Sequence, residues 1–537
     1  MTPALSHTPA PAATGEGEPT EARPWVGGPD PTRTGGASTG PWARVVRDRL
    51  VTPMPSDRLL GWLLPGLVAL VGAILRFWHL AVPPTYVFDE TYYAREAWRL
   101  LRFGVEYQAE LGAPEYVVHP PLGKWVIAVG EWIFGNDSFG WRFSVAVLGS
   151  LAILMVGRIA RRLFRSTLLG TLASVLLCFD SLEFVMSRTA LLDTMVMFFA
   201  LAAFGALLID RDRARARLGP RVIAGGGAGR FGPGQGLRPW RLAAGLALGM
   251  ACASKWNGLW FVAAFGLMSV LWDVGARRAA GARRPFLGAL ARDGVPAFAS
   301  LVIVALVVYL ASWTGWFLSD AKHAYFRDWA AHNGGGWPFP GGQALRSLWH
   351  YHVEAYTFDV NLHSFHPYSA NPWSWIVLGR PISYFYEGPK LGRSGCTAAQ
   401  CSQAILAVGN PVIWWGAVLA IAVLVGLWAG RRDWRAGAIL AGIVAGYLPW
   451  FNYQARTIFY FYAVAFTPWL VLADTMVLGL ILGPPGASPR RRAWGASIAG
   501  ALVLLTVVVF WWLLPILTAQ VIPYRQWQLR MWLPSWV

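Results

Sequence analysis

The residues best suited to chemistry lie between the first two apolar segments of this 537-residue sequence. Asp89 and Glu90 follow a Pro-Pro turn and begin a stretch in which tyrosine, tryptophan and leucine recur at helical spacing. A carboxylate there can accept the proton of a hydroxyl nucleophile, as a general base does. Alternatively, the acidic pair only caps the first turn of a helix. His119 and Lys124 lie in the same segment, which favours the catalytic interpretation.

Lys124 follows the sequence His119-Pro-Pro-Leu-Gly and would lie one turn inside a second apolar helix. Its ammonium group could reach the lipid headgroups, or it could hold a lipid-linked phosphate. His119 could help to bind an acceptor or a phosphate, or it could simply belong to the Pro-Pro turn. The residues alone leave both pairs of alternatives open.

A third group of ionisable residues lies in and after a later apolar segment. Charged groups inside a membrane span are costly and usually face a cavity or pair with one another. Asp180 and Glu183 are three residues apart, so they share one face of a helix. Arg188 either neutralises these acids or binds phosphate, and Lys255, between two short apolar segments, has a similar pair of interpretations. The whole group is Asp180, Glu183, Ser187, Arg188 and Asp193.

The cysteines and histidines give weaker signals. His363 and His366 with the nearby Asp359 could suggest a metal site, but their loose spacing favours an ordinary loop, and a requirement for a divalent cation stays open. Cys396 and Cys401 are five residues apart in a long loop expected outside the cell, where a disulfide can form. The alternative is two free thiols.

The elements that position these residues are predicted to be membrane helices. The chain has 46 Lys and Arg against 28 Asp and Glu, a net charge of +18, yet only 14% of its residues are charged and 55% are hydrophobic. This composition excludes a disordered chain, which would be poor in apolar residues. It also argues against a nucleic-acid-binding protein, in which positive charge clusters beside a soluble core. A basic excess in an apolar chain is typical of a multi-pass membrane protein.

About eleven apolar segments are candidates to cross a membrane. Clusters of arginine follow every second segment, so one orientation places all of them, and the N-terminus, in the cytoplasm. The regions 79–140 and 318–410 and the hairpin near Ser187 then lie outside. The predicted spans are 59–78, 141–157, 167–186, 190–209, 241–254, 257–273, 296–317, 411–429, 436–451, 458–482 and 495–518.

The chain divides into three parts. Residues 1–45 are rich in Pro, Gly, Thr and Ala and contain no apolar run, which predicts a disordered cytoplasmic tail and no cleaved signal peptide. A transmembrane catalytic domain is predicted over residues 55–520. Its first extracytoplasmic loop, 79–140, carries the catalytic motif, and 318–410 is the long loop. Residues 521–537 are expected to form an extracytoplasmic C-terminal tail.

Several of these motifs resemble those of one family. Phe88-Asp-Glu90 followed by His119-Pro-Pro-Leu-Gly-Lys124 resembles the protein O-mannosyltransferases, which are polytopic glycosyltransferases of the GT-C fold. The matches run in order over nearly the whole chain, and the loop 318–410 is too short for the β-trefoil domain of the eukaryotic members. The resemblance is therefore to the bacterial, actinobacterial-type branch. The other similar segments are Ser187-Arg-Thr-Ala-Leu-Leu-Asp193, Ser254-Lys-Trp256, and His366 to Trp375 with Arg380-Pro381.

The resemblance implies an all-α GT-C membrane protein with about 11 transmembrane helices and with interfacial helices in the first outer loop. It implies an inverting transfer of mannose from a polyprenyl-phosphate donor to Ser or Thr hydroxyls of exported proteins. The active site would be at the extracytoplasmic face of the plasma membrane, among membrane lipids and near the Sec translocon. Asp89 would be the base, and Glu90 would position the acceptor or Asp89. The candidates for the donor phosphate are Lys124, Arg188 and Lys255, in that order, and those for acceptor binding or support are His119, Asp193, Asp180 and Glu183.

Two other functions are consistent with the residues. Another GT-C transferase could modify a lipid or a cell-wall glycan with arabinose or aminoarabinose. A transporter would also have many spans and buried acids, but it should show internal repeats with interrupted helices. No such repeat is visible in the sequence, and the acidic residues cluster near one surface.

Overall fold

The computed structural model describes residues 41–484 and 486–537, and helices dominate it. Most of the long helices are apolar along much of their length, as expected of segments surrounded by lipid. In the first half of the chain the helices are α1 (Pro41–Leu50), α2 (Leu60–Phe77), α3 (Glu90–Phe103), α4 (Leu122–Phe134), α5 (Ser138–Phe164), α6 (Thr167–Cys178), α7 (Ser181–Met186), α8 (Asp193–Ala224), α9 (Pro239–Ser254) and α10 (Gly258–Ala279).

The second half begins with α11 (Pro285–Ala289), α12 (Val295–Phe298) and α13 (Val304–Ser312), which two π-helical stretches, Leu290–Gly294 and Ala299–Ile303, join into one continuous helix. Short 3-10 segments, Leu448–Tyr453, Tyr460–Phe466 and Pro534–Trp536, lie near the end of the chain. The remaining helices are α14 (Thr314–Leu318), α15 (Trp329–His332), α16 (Gly342–Val360), α17 (Pro372–Trp375), α18 (Pro411–Arg431), α19 (Trp434–Tyr447), α20 (Thr467–Leu482), α21 (Pro489–Leu517) and α22 (Tyr524–Gln528).

The predicted count of eleven membrane spans is not confirmed. Among the described residues, eight helical segments are long and apolar enough to cross a membrane. The other three predicted spans correspond to shorter helices, namely α6 with α7, α9 and α19. The predicted span 167–186 is interrupted because α6 ends at Cys178 and the Asp180 side chain caps a new helix by accepting from the Glu183 amide.

Short polar residues begin several helices next to the large loops. The Asp137 side chain accepts hydrogen bonds from the backbone amides of Phe139 and Gly140 at the start of α5. Asn410 caps α18 in the same way, just before a proline at the first helical position. Gly104 ends α3 with a left-handed backbone conformation, at a φ of 75°. Residues other than glycine adopt this conformation at an energetic cost.

Four of the five short strands lie in the two large loops, and the fifth lies near the end of the chain. Strands β1 (Tyr107–Gln108) and β2 (Ala113–Pro114) form an antiparallel pair between α3 and α4. Strands β3 (Ile382–Glu387), β4 (Cys401–Ala407) and β5 (Ile522–Pro523) form an antiparallel sheet in that order. The chain end predicted as a tail therefore adds a strand to the long loop, and Arg380 donates to the carbonyls of Ser535 and Val537.

Helix α1 changes the boundary predicted for the N-terminal tail. Residues 41–45, assigned to that tail from the sequence, form the first half of α1. Ala43, Val46 and Leu50 are buried against the C-terminal parts of α8 and α10. The rest of the predicted tail, residues 1–40, lies outside the described residues.

The first large loop is tied to the bundle by a fully buried ion pair between Glu90 and Arg142. Arg142 Nε donates to one carboxylate oxygen of Glu90 at 2.8 Å, and Nη2 donates to the other at 2.7 Å. The remaining guanidinium donors bind the carbonyls of Leu80, Pro83 and Thr85. One guanidinium thus fixes the start of α3 and the turn before it onto α5.

Replacing Arg142 with glutamine should destabilise the protein strongly, because it leaves the Glu90 carboxylate buried without its cation. Loss of one partner of such a pair typically costs about 3–5 kcal/mol. The measurement is thermal unfolding of the purified protein in detergent. Arg102→Gln is the matched control, since Arg102 is exposed on α3. Equal melting temperatures for the Arg142 variant and the unaltered protein would contradict the assigned role.

Candidate active site

Asp89 is the residue immediately before α3, and its side chain is not used as a helix cap. Among the described residues its carboxylate has no hydrogen-bond partner, so the capping alternative is wrong for Asp89. Burial raises the pKa of Asp89 to about 6, while Lys255 opposes the shift and Asp193 and Glu96 add to it. A carboxylate with a pKa near the working pH and free lone pairs is suited to accept a proton.

Glu90 has a different environment from its neighbour. Besides Arg142, its carboxylate accepts hydrogen bonds from the backbone amides of Val87 and Ala190, at 3.0 Å and 2.9 Å. With both oxygens engaged and no exposed surface, Glu90 cannot also hold an acceptor. It is a positioning residue that fixes the backbone of Asp89, and the predicted contact with acceptor is not supported.

Lys255 and Asp193 form an ion pair beside Asp89. Lys255 lies in the break between α9 and α10, and Asp193 is the first residue of α8. The ammonium nitrogen is 3.0 Å and 2.9 Å from the two carboxylate oxygens and lies 4.3 Å from the centre of the Tyr462 ring. The structure therefore brings together two predicted residues that are 62 positions apart.

A cavity of about 320 Å³ opens next to this pair. Its polar lining consists mainly of Lys255, His119, Asp359 and Arg456. The Arg456 guanidinium lies 3.5 Å from an Asp359 oxygen, and its buried Nε has no hydrogen-bond partner among the described residues. The apolar part of the lining is Trp256, Leu259, Trp260, Ala263, Val360, Pro449 and Trp450.

His119 is neutral in this setting. Burial lowers its pKa well below the usual value, and the positive charges of Lys255, Lys124 and Arg456 lower it further. The ring lies 5.8 Å from that of Tyr93, centre to centre. A neutral imidazole can donate one hydrogen bond and accept one, but it adds no positive charge to the cavity.

Lys124, the first candidate for the donor phosphate, is not at the cavity. It is fully buried, with its ammonium group 3.1 Å from Glu96 and bonded to Glu106. Burial lowers the pKa of Lys124, but Glu106 and Glu96 more than offset this and keep the lysine charged. Since both acids already balance its charge, Lys124 serves to hold α4 against α3 and the turn after α3.

Arg188, the second candidate for the donor phosphate, also has its hydrogen-bond donors engaged by other groups of the protein. Its guanidinium donates to the carbonyls of Leu75, Arg76, Trp78 and His79, at 2.6 to 3.2 Å. These are the last carbonyls of α2 and the residues after it, which lack partners within the helix. Arg188 therefore closes the end of α2 and is not directed at a ligand.

Asp180 and Glu183 are structural as well. Asp180 accepts from the Trp414 indole at 2.8 Å, and Glu183 accepts from Ser187 at 2.7 Å and from Arg76. Arg76 neutralises Glu183, so the alternative in which Arg188 does so is wrong. Neither acid lines the cavity near Asp89. Of the two predicted roles, acceptor binding or structural support, the contacts of Asp180 and Glu183 are therefore consistent only with structural support.

The long loop 318–410 carries a disulfide between Cys396 and Cys401, with a Cα–Cα distance of 5.8 Å. Among the described residues no group of three or more His, Cys, Asp or Glu side chains converges to hold a metal ion. His363 instead contacts the carbonyl of Ala455, and His366 accepts from the Tyr368 amide.

Two important cations, Arg142 and Arg456, were missed from the sequence. Arg142 lies just inside a predicted span, where a charge is costly unless it has a buried partner. Arg456 is in the short connection between the predicted spans 436–451 and 458–482, which the topology places outside. An arginine there departs from the cytoplasmic bias of the other arginines, and this departure could have identified it.

Comparison with known proteins gives two family matches. The model described as dolichyl-phosphate-mannose-protein mannosyltransferase matches residues 66–216. The model described as the C-terminal four TMM region of protein-O-mannosyltransferase matches residues 344–536. The first match contains Asp89 and Asp193, and the second contains Arg456.

Whole-chain relatives agree with these matches. A polyprenol-phosphate-mannose–protein mannosyltransferase of Mycobacterium tuberculosis is 42% identical over 494 residues, which cover 90% of this chain and 93% of the relative. A protein of the same description from Corynebacterium glutamicum is 35% identical, with 88% and 92% covered.

A solved protein O-mannosyltransferase complex of Saccharomyces cerevisiae, bound to the sugar donor, shares the fold. The TM-score is 0.66 at 16% identity, and the match covers 92% of this chain and 94% of the other. The expected GT-C membrane architecture is thereby confirmed. With both the sequence matches and the fold in agreement, the chain belongs to the protein O-mannosyltransferase family.

Proposed function

We propose that this protein transfers mannose from a polyprenyl-phosphate-mannose donor to Ser or Thr hydroxyls of exported proteins. The observation that carries the proposal is the free carboxylate of Asp89 close to the Lys255–Asp193 ion pair, where Lys255 lines a cavity whose walls combine cations with apolar side chains. The names of the relatives supply the sugar, the lipid and the protein acceptor. The geometry supplies a base and a place for a lipid-linked phosphate.

The base is Asp89. A Ser or Thr hydroxyl donates its proton to the Asp89 carboxylate while its oxygen attacks the anomeric carbon of mannose. The bond from that carbon to the phosphate oxygen breaks, and polyprenyl phosphate leaves with the electron pair. Attack opposite the leaving group inverts the anomeric configuration and requires no glycosyl-enzyme intermediate.

Lys255 and Arg456 are the cations that meet the phosphate. Both line the cavity, and the donors of Arg456 are only partly used by the protein. Preplaced cations stabilise the charge that develops on the leaving phosphate. Asp193 holds Lys255 in place through its two carboxylate oxygens.

The apolar wall indicates how a lipid donor enters. Leu259 and Trp260 begin the membrane-spanning helix α10, line the cavity and are exposed on the surface of the protein. An exposed apolar surface on such a helix faces lipid tails. The prenyl chain would leave the cavity between these residues and extend into the bilayer.

The chain is a multi-pass membrane protein, and its finer placement is part of the proposal. The arginine clusters favour a cytoplasmic N-terminus in the plasma membrane, with Asp89 on the extracytoplasmic side. Acceptors would reach the site as they emerge from the membrane, with the Sec translocon as the expected source.

Asp89→Asn should reduce mannosyl transfer by about 10²-fold or more, because an amide cannot accept the hydroxyl proton. The measurement is labelling of a Thr-rich peptide from radioactive mannosyl-phosphopolyprenol in membranes with equal amounts of each variant. Glu110→Gln is the control, since Glu110 is an exposed acid in the same loop. A normal rate of transfer by the Asp89→Asn variant would show that Asp89 is not the general base.

The rate should depend on pH through the ionised form of Asp89. Because its pKa is raised from 3.8 to about 6, kcat/KM should be level above pH 7 and fall about tenfold per pH unit below pH 6. The profile is measured between pH 4.5 and 8 with a check that the protein stays folded. A profile that stays level down to pH 5 would contradict the assignment.

Arg456→Gln should raise the KM for the lipid donor about tenfold or more, since a hydrogen bond to a charged group is worth about 1.5–3 kcal/mol. The KM for the peptide should change little. Arg393→Gln, an exposed arginine of the long outer loop, is the control. An unchanged donor KM in Arg456→Gln would remove Arg456 from the phosphate site.

The same assay separates the alternative functions. Wild-type protein is supplied with several lipid-linked sugars and with both peptide and glycan acceptors. Labelling of glycan but not peptide would replace the protein acceptor by a lipid or cell-wall glycan. Uptake of label into vesicles without any covalent product would indicate a transporter instead.

A further inference from the structure

A second, strongly basic cavity of about 640 Å³ lies at the other end of the bundle from Asp89. Helix α8 connects the two places, since it begins at Asp193 and reaches Arg211 after 18 residues. At 1.5 Å per residue this separates them by about 27 Å. The hydrocarbon core of a bilayer is about 30 Å thick, so the two cavities lie at opposite membrane surfaces.

The lining of this arginine cavity is dominated by positive charge. Six arginines face two aspartates there, a formal excess of four positive charges. Both acids are already engaged, Asp212 by Arg165 at 2.9 Å and Asp433 by Arg435 at 2.6 Å. Three of the other arginines form no ion pair among the described residues. The lining arginines are Arg49, Arg165, Arg211, Arg215, Arg431 and Arg435.

Arg211 is the most deeply placed of these residues. Its side chain is only 10% exposed and lies over the Trp434 ring, 3.4 Å from the ring centre. Its buried Nε has no hydrogen-bond partner among the described residues. A buried donor without a partner is unfavourable, and an anionic ligand would satisfy it.

An apolar groove of about 1000 Å³ adjoins the arginine cavity. The two share Arg165 and Arg435, so two of the arginines lie at their junction, and Arg492 also lines the groove. The groove lies between α6, the end of α20 and the start of α21. Its walls include Leu168, Leu169, Met476, Leu480 and Ala496.

We propose that this pair of cavities binds an anionic phospholipid. The arginine cavity holds the phosphate of the headgroup, and the adjoining groove takes an acyl chain. A free phosphate would use the arginines but gain nothing from the groove, whereas a lipid uses both. Basic pockets between membrane helices are well suited to anionic headgroups, and neither the transfer reaction nor its donor site uses these residues.

The test measures lipid binding by the full chain, purified in detergent, with native mass spectrometry. The probes are dioleoylphosphatidylglycerol, dioleoylphosphatidylcholine and sn-glycerol 1-phosphate, which carries the charge without acyl chains. The test variant combines Arg49→Gln and Arg431→Gln, two exposed arginines without ion pairs among the described residues. The matched control combines Arg278→Gln and Arg283→Gln, which remove the same charge from exposed sites outside the cavity.

Phosphatidylglycerol should bind the native chain at least about tenfold more tightly than phosphatidylcholine or glycerol phosphate. Of the three probes, only phosphatidylglycerol combines a net negative charge with acyl chains. The test variant should lose about tenfold in affinity, and the control should not. Equal binding of the two lipids, or equal loss in test and control variants, would overturn the proposal.

A groove variant tests the acyl part separately. Ala496→Trp places a large ring in the groove from an exposed helix position. It should weaken phosphatidylglycerol binding and leave glycerol phosphate unaffected. If glycerol phosphate binds the native chain as tightly as the lipid does, the site is one for a free anion and the lipid proposal is wrong. Melting temperatures without added lipid show that each variant is folded.

Discussion

The burial of the Glu90 carboxylate is the constraint on which the arrangement of the active site depends. An ionised group without contact with water is tolerated only when opposite charge and hydrogen bonds replace its hydration. Arg142 and two backbone amides meet that requirement for Glu90. They come from α5, from the turn before α3 and from the segment before α8. Satisfying one carboxylate therefore joins three parts of the chain, and Asp89 is the next residue along the backbone.

The same rule separates structural charges from functional ones. Lys124 and Arg188 are surrounded by acids or carbonyls of the protein, so their charges are already balanced. Asp89 and Arg456 retain unused hydrogen-bonding capacity beside a cavity. A charge that the fold leaves partly unsatisfied is available to a substrate, and this criterion, more than the residue type, selects the candidates for catalysis.

The net charge of +18 also has a spatial explanation. Most of the excess arginine lies in clusters that the topology places on one side of the membrane, where it is consistent with an orientation signal. Part of that excess is organised further into the arginine cavity, with tryptophan beside it and an apolar groove next to it. On the other side, Lys124 and Arg142 are buried in ion pairs, Lys255 and Arg456 line the cavity near Asp89, and others such as Arg102 and Arg393 are exposed.

The sequence by itself determined the class of the protein and its family, and it supplied candidates for the reactive residues. Long apolar segments predict membrane helices, because a spanning backbone must satisfy its own hydrogen bonds. The acidic pair at 89–90 was singled out from its residue types and neighbours, and Lys255 and Asp193 were singled out separately. What only the tertiary structure decided was the role of each charge. From the sequence, Lys124 and Arg188 were preferred to Lys255 as binding residues for the donor phosphate, and Arg142 and Arg456 were overlooked. The reason is that the partners that neutralise a charge are distant in sequence. Glu90 and Arg142 are 52 residues apart, and Lys255 and Asp193 are 62 apart. Sequence shows where a charge is costly, but only the folded chain shows whether another part of the protein has already balanced it.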